Sequence, residues 1–182
     1  VSLLDRICTA VAPGTVTVRT LDVGGDKPLR YLPMPEEANP ALGLRGIRAL
    51  LRQPDLLRQQ LCAVLRVADR HPVRLMVPMV ATLEEIQKTR TLLEEARDQI
   101  RRLGGNGDVP LPIGTMIETP AAALTARVMA GELDFFSIGT NDLTQYTMAA
   151  DREHGDLAAL TDALQPAVLR LIHATAKAAR EA

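Results

Sequence analysis

Apolar positions along the chain switch between two periods. Val16 to Leu21 (VTVRTL) is β-branched and alternating, which predicts a strand. Leu44 to Leu51 and Leu56 to Val67 carry apolar residues three and four apart and predict helices. Val73 to Val77 (VRLMV) predicts a second strand. A helix follows from Thr82 (TLEEIQKTRTLLEEARDQIRRL), opened by the capping-box pair Thr82 and Glu85 and stopped by Gly104-Gly105. Pro112 to Ile117 predicts a third strand, and Thr119-Pro120 the cap and first position of a helix AAALTARVMA ended by Gly131. Asp134 to Ile138 predicts a fourth strand, a short helix follows Asn141-Asp142, and Gln165-Pro166 starts the last helix. Short apolar strands separated by helices long enough to cross over imply parallel pairing in right-handed βαβ units, hence one α/β domain. Doubly wound sheets and closed barrels share this alternation, so the pattern leaves both open.

Composition narrows the function classes. The chain has 182 residues, 47% of them hydrophobic, with 21 Lys+Arg against 22 Asp+Glu and a net charge of −1. That suits a globular core and gives no basic footprint for nucleic acid. No opening leader pattern and no long uncharged stretch is present, so neither secretion nor membrane insertion is expected. Cys8 and Cys62 lie outside any C-x-x-C or C-x-H context, which points to a reduced, cytoplasmic compartment.

Ligands of parallel α/β folds bind beyond the carboxyl ends of the strands. There the chain reads Arg19-Thr20-Leu21-Asp22-Val23-Gly24-Gly25-Asp26-Lys27 after the first strand, Pro78-Met79 after the second, Glu118 after the third, and Gly139-Thr140-Asn141-Asp142 after the fourth. Glu118 and Asp142 bring two carboxylates to one rim, a donor set suited to magnesium, with helix capping or ion pairing as the structural alternative. Arg19 interrupts an apolar strand and needs an anion, either Asp22 or a ligand. Arg45 and Arg48 stand near a helix start, where phosphate and carboxylate bind, although 18 of the 21 basic residues are Arg and any single one is weak evidence. Lys27 is a phosphate contact or an exposed loop lysine. No nucleotide-binding glycine fingerprint occurs. His71, His154 and His173 lack a nucleophilic or metal context, and the two cysteines read as packing thiols.

Taken together, the segments RTLDVGGDKPL, NPALGLRGIR, MVPMV followed by TLEE, GTMIETPAAAL and DFFSIGTNDLTQYTMAADR resemble the phosphoenolpyruvate-binding barrel of phosphoenolpyruvate-utilising enzymes. GGDK and ETPAA resemble enzyme I of the bacterial sugar phosphotransferase system within that superfamily. The resemblance implies a (β/α)8 barrel of TIM type, with residues 1–182 forming an incomplete part of it. It implies phosphoenolpyruvate held by Arg19, Arg45, Asn141, Asp142 and Arg152, and Mg2+ held by Glu118 and Asp142. The implied reaction moves the phosphoryl group to a protein histidine and on to a small histidine-containing phosphocarrier protein for sugar uptake, releasing pyruvate, in a homodimeric parent.

The family's proton-donating cysteine, in a G-x-C-G-type segment, and its phosphohistidine, in a T-S-H segment, have no counterpart here, so no catalytic residue is assigned and this stretch alone is expected to be inactive. A dikinase or synthase barrel, or a non-catalytic sensing or dimerisation module, are the alternatives. An incomplete barrel is expected to leave sheet edges open, favouring self-association or membership of a larger polypeptide.

Overall fold

In the computed structural model, residues 1–24 and 36–182 are described; Gly25, Asp26 and Lys27, which follow the first strand in the sequence, lie outside the described residues. Strands β1 (Val16–Arg19), β2 (Val73–Val77), β3 (Ile113–Ile117) and β4 (Phe135–Ile138) form one parallel sheet in the order β1-β2-β3-β4. A doubly wound sheet reverses its strand order at a switch point; this one never does. The sheet is therefore wound in one direction, as consecutive strands of a TIM-type (β/α)8 barrel are, and the α/β expectation resolves to an incomplete barrel.

Among the described residues seven α-helices accompany the sheet: α1 (Ser2–Val11), α2 (Ile47–Arg52), α3 (Pro54–Ala68), α4 (Leu83–Arg102), α5 (Pro120–Ala130), α6 (Thr140–Met148) and α7 (Pro166–Arg180). The predicted starts hold where they rest on side-chain chemistry. Thr82 and Glu85 form the capping box of α4, with Glu85 Oε2 accepting from the Thr82 N–H at 3.0 Å. Thr119 Oγ1 accepts from the Ala122 N–H at 3.1 Å ahead of Pro120. Helix α1 is not among the predicted elements, and α6 begins before Asn141 rather than after it. Among the described residues no helix is long and apolar enough to cross a membrane.

Alternation along the strands builds two faces. Val73, Leu75 and Val77 on β2 and Ile113 and Ile117 on β3 are buried, as are Leu57, Leu61 and Leu65 of α3 and Ile86, Leu93 and Ile100 of α4, and together they form the core. The opposite face carries Thr17 and Arg74, paired between β1 and β2, and Phe135, paired with Gly114 of β3. Arg74 Nε donates to Thr17 Oγ1 at 2.7 Å, and its guanidinium lies 4.4 Å from the centre of the Phe135 ring. The outer strands β1 and β4 each pair on one side, and their residues are mostly half-buried.

Gly114 makes that inner layer possible. A Cβ there would stand 2.4 Å from the Phe135 carbonyl oxygen and 2.6 Å from its ring. Gly114→Ala is expected to destabilise the fold by about 1–3 kcal/mol, the usual cost of overpacking, seen as a lower urea midpoint at unchanged slope. An unchanged midpoint would show that the Phe135 ring is free to move aside.

Candidate functional site

Every strand delivers its next residues to one rim. After β1 the chain passes Leu21, whose N–H is held by Gln60 Oε1 at 2.9 Å, and turns Asp22 inward. After β2 it reaches Met79, after β3 Glu118, and after β4 Gly139 and the first turn of α6, which carries Asp142.

Arg45, just before α2, lies at the centre with no exposed surface. Its Nη2 donates to Asp22 Oδ2 at 3.0 Å and its Nη1 to Asp142 Oδ1 at 2.8 Å and Tyr146 Oη at 3.1 Å. Its Nε is buried and has no hydrogen-bond partner among the described residues. Burial alone would lower the guanidinium's pKa; the hydrogen bond and charge of Asp22, with Asp142 and Tyr146, outweigh it and raise it above the ordinary value. Asp22 follows β1 and Asp142 follows β4, strands at opposite edges of the sheet. Flat, those edges would be about 14 Å apart, so one guanidinium bonding to both requires the strand ends to converge, as curling into a barrel wall makes them do.

Glu118 is 1% exposed. Oε1 accepts the Met79 N–H at 2.6 Å, and Met79 adopts a φ of +60°, a left-handed value rare for a side chain of its size. A Cβ at residue 139 would lie 2.9 Å from Oε2, so Gly139 is what leaves room beside that oxygen. Burial pushes the Glu118 carboxyl up to about 7; the Met79 N–H opposes the rise, Asp142 and Asp22 add to it, and Arg19 pulls it down. Glu118 thus feels both aspartates of the Arg45 cluster.

The remaining candidates sit at different depths. Arg19 is not the buried cation that its strand position suggests: β1 ends there, its side chain is 40% exposed, and Nη1 stands 3.8 Å from Asp22 Oδ2. The buried guanidinium is that of Arg45. Arg152 Nη1 lies 3.4 Å from Asp142 Oδ2, and its backbone N–H donates to Gln145 Oε1 at 3.2 Å. Asn141 is exposed on the first turn of α6. Neither Asn141 nor Asp142 makes the capping bond of α6; the helix is preceded by Gly139 and Asp142 turns toward the arginines instead.

Arg45, Asp142, Arg152, Asp22 and Arg19 therefore form one charged network with Glu118 beside it. His71 pairs with Asp5 at 3.0 Å near the start of β2, at the other end of the sheet, and Cys62 lies between α3 and α4. Met79 is placed at this rim by the sequence but given no role there, and Tyr146 is not singled out at all; Tyr146 had a signal, because it lies four residues after Asp142 and so on the same helix face.

No group of three or more His, Cys, Asp or Glu residues able to hold a metal occurs among the described residues. What is present is a pair of oxygen donors, Glu118 and Asp142, in a cluster of three acidic groups. Two carboxylates could serve a hard divalent cation only together with oxygens from elsewhere, and here both oxygens of Asp142 are met by Arg45 and Arg152.

The chain is 51% identical over 167 residues to a "Multiphosphoryl transfer protein" of Rhodobacter capsulatus, covering 92% of this chain and 20% of that protein. It is 48% identical over 157 residues to a "Phosphoenolpyruvate-protein phosphotransferase" of Latilactobacillus sakei, covering 86% of this chain and 27% of that protein. It thus spans about a fifth to a quarter of the length of these relatives. Among solved structures, a citrate lyase from Burkholderia xenovorans LB400 matches with a TM-score of 0.52 at 22% identity, over 68% of this chain and 37% of that one, a likeness of fold. Residues 2–182 match the family described as PEP-utilising enzyme, PEP-binding domain, and the chain belongs to that family.

Proposed function

We propose that this chain holds phosphoenolpyruvate and Mg2+ at the carboxyl-end rim of its sheet, as the substrate-binding part of a phosphotransferase. That enzyme passes the phosphoryl group to a protein histidine and then to a small histidine-containing phosphocarrier protein in sugar uptake, releasing pyruvate. The observation that carries the reading is the buried Arg45 guanidinium, fixed between Asp22 and Asp142 with its Nε left over as a donor, next to a carboxyl that burial and neighbouring aspartates have pushed up to about 7. Relatives bearing the phosphotransferase names support the reaction class.

In this reading Arg19, exposed at the end of β1, and Arg152 receive the phosphoryl oxygens from solvent, Arg45 offers Nε from below, and Asn141 donates from the first turn of α6. Glu118 and Asp142 would hold the magnesium ion. When bound, the metal supplies a Lewis acid that neutralises phosphoryl and enolate charge. The residues' task is positioning and electrostatic stabilisation while the phosphorus–oxygen bond of phosphoenolpyruvate breaks and a bond to an imidazole nitrogen forms. The enolate then takes a proton to become pyruvate. Neither Cys8, buried in the core, nor Cys62, on α3, belongs to the rim, so neither is assigned as the donor.

Calorimetry of phosphoenolpyruvate binding to the full-length protein tests the site. Affinity is expected to depend on Mg2+ and to fall at least about tenfold in Arg19→Ala and further in Arg45→Lys, whose point charge cannot reproduce the fork. Binding indifferent to the metal and to both substitutions would overturn the assignment.

Glu118 yields a second expectation, with a sign. Its carboxyl holds a proton in the folded protein that the unfolded chain releases near 4.5, so its contribution to stability is fullest below pH 4.5 and is lost as pH rises to about 7. Glu118→Gln keeps an acceptor for the Met79 N–H and removes the charge. It should stabilise the protein by on the order of 3 kcal/mol at pH 8, with the gain vanishing near pH 4.5, while weakening metal-dependent substrate binding. Denaturation at both pH values measures this; an equal difference at both would contradict it.

A further inference from the structure

Tyr146 takes no part in the assignment above, yet it touches the residue on which that assignment turns. Its half-buried hydroxyl accepts from Arg45 Nη1 at 3.1 Å and donates to the carbonyl of Ala41, in the 3-10 turn Pro40–Leu42 that leads into Arg45. A phenol can do both at once; phenylalanine can do neither.

We propose that Tyr146 is a positioning residue whose hydroxyl registers Arg45 and the Pro40–Leu42 turn against α6, and so decides which N–H of the guanidinium is left for substrate. The inference rests on the phosphoenolpyruvate-binding reading and goes one residue beyond it.

Three observations support it. Of the five guanidinium N–H groups three are taken, one on Nη2 by Asp22 and two on Nη1 by Asp142 and Tyr146, and Nε is the nitrogen with no partner among the described residues. The turn is fastened from the other direction by Arg48, whose Nη1 donates to the Leu42 and Gly43 carbonyls at 3.2 and 3.4 Å, so α2 and α6 grip it from two helices. Between the turn and α6 lies a cavity of about 440 Å³, lined by Asn39, Pro40, Gln145, Tyr146 and Asp151 among others. Beside that cavity the Tyr146 hydroxyl bonds α6 to the turn, while the Arg45–Asp142 pair bonds the first turn of α6 to the residue that follows it. Helix α6 stops immediately beyond Tyr146, at Ala149 with a φ of +51°.

The test is a double-mutant cycle on the full-length protein, reading kcat/KM for phosphoenolpyruvate-dependent pyruvate release together with the melting temperature. Tyr146→Phe is expected to lower kcat/KM about tenfold, chiefly through KM, with little change in melting temperature. In an Arg45→Lys background the same change should cost less than about twofold, because Tyr146 acts through Arg45. In an Arg19→Ala background, which Tyr146 does not touch, it should keep its full effect. Hydrogen exchange supplies a readout independent of turnover: amides of residues 39–46 should exchange faster in Tyr146→Phe while those of α3 and α4 do not.

If Arg19→Ala weakens the substrate but Tyr146→Phe leaves kcat/KM and residues 39–46 unchanged, the positioning role is overturned and the binding site stands. If Tyr146→Phe is additive with Arg45→Lys, the hydroxyl does not act through the guanidinium and the proposal fails. If neither Arg19→Ala nor Arg45→Lys affects the substrate, the site reading fails and this inference falls with it. Should Arg45→Lys not fold, the exchange rates of residues 39–46 and the Arg19→Ala background decide.

Discussion

A guanidinium held without contact with water is the constraint around which the rim of this domain is organised. Removing Arg45 from solvent is costly, and only well-aimed anionic acceptors offset the loss. Asp22 and Asp142 supply them from opposite edges of the sheet. Their need to meet at one side chain ties the end of the first strand to the start of the sixth helix, and the other polar neighbours arrange themselves around that tie. Arg152 takes the second oxygen of Asp142, Arg19 shares Asp22, and Tyr146 occupies the remaining side of Nη1. Lysine could not substitute, since a single ammonium cannot face two carboxylates and a hydroxyl in one plane.

As pH rises to about 7, Glu118 works against stability. Its carboxyl is buried among other acids, and the backbone bends to accommodate it: Met79 takes a left-handed conformation to offer an N–H, and residue 139 has no side chain. Strain and like-charge crowding concentrated at one position are typical of sites kept for chemistry. The apolar layer of α3 and α4 against β2 and β3 supplies the margin that permits it.

Much of this architecture is legible in the sequence because local chemistry and tertiary fate agree. Val73–Val77 is a strand by pattern and in the structure, and Thr82, Glu85, Thr119 and Pro120 mark helix starts through hydrogen bonds made within a few residues. Helix α1 carries the same periodic signal, with Leu3, Leu4, Ile7, Cys8 and Val11 at three- and four-residue spacing, and it escapes only when the buried Cys8 is read as an isolated thiol. Barrel and doubly wound folds part company only at strand order, which no single segment encodes. At the site, the family motifs contain every residue of the network, but not its depth. Arg19 looks like the interior cation because it ends a β-branched run, whereas Arg45 follows a Pro- and Gly-containing turn, a context ordinarily solvated. Tyr146 shows its part only once Ala41, 105 residues earlier, is brought beside it.

The Arg45–Asp142 bond joins residues 97 positions apart, while Arg45 and Asp22 are separated by 23. During synthesis the first partner is at hand almost immediately, and the second leaves the ribosome several seconds later at ordinary elongation rates of about 5–20 residues per second. Both carboxylates that hold this buried cation exist only once the chain has been made through residue 142.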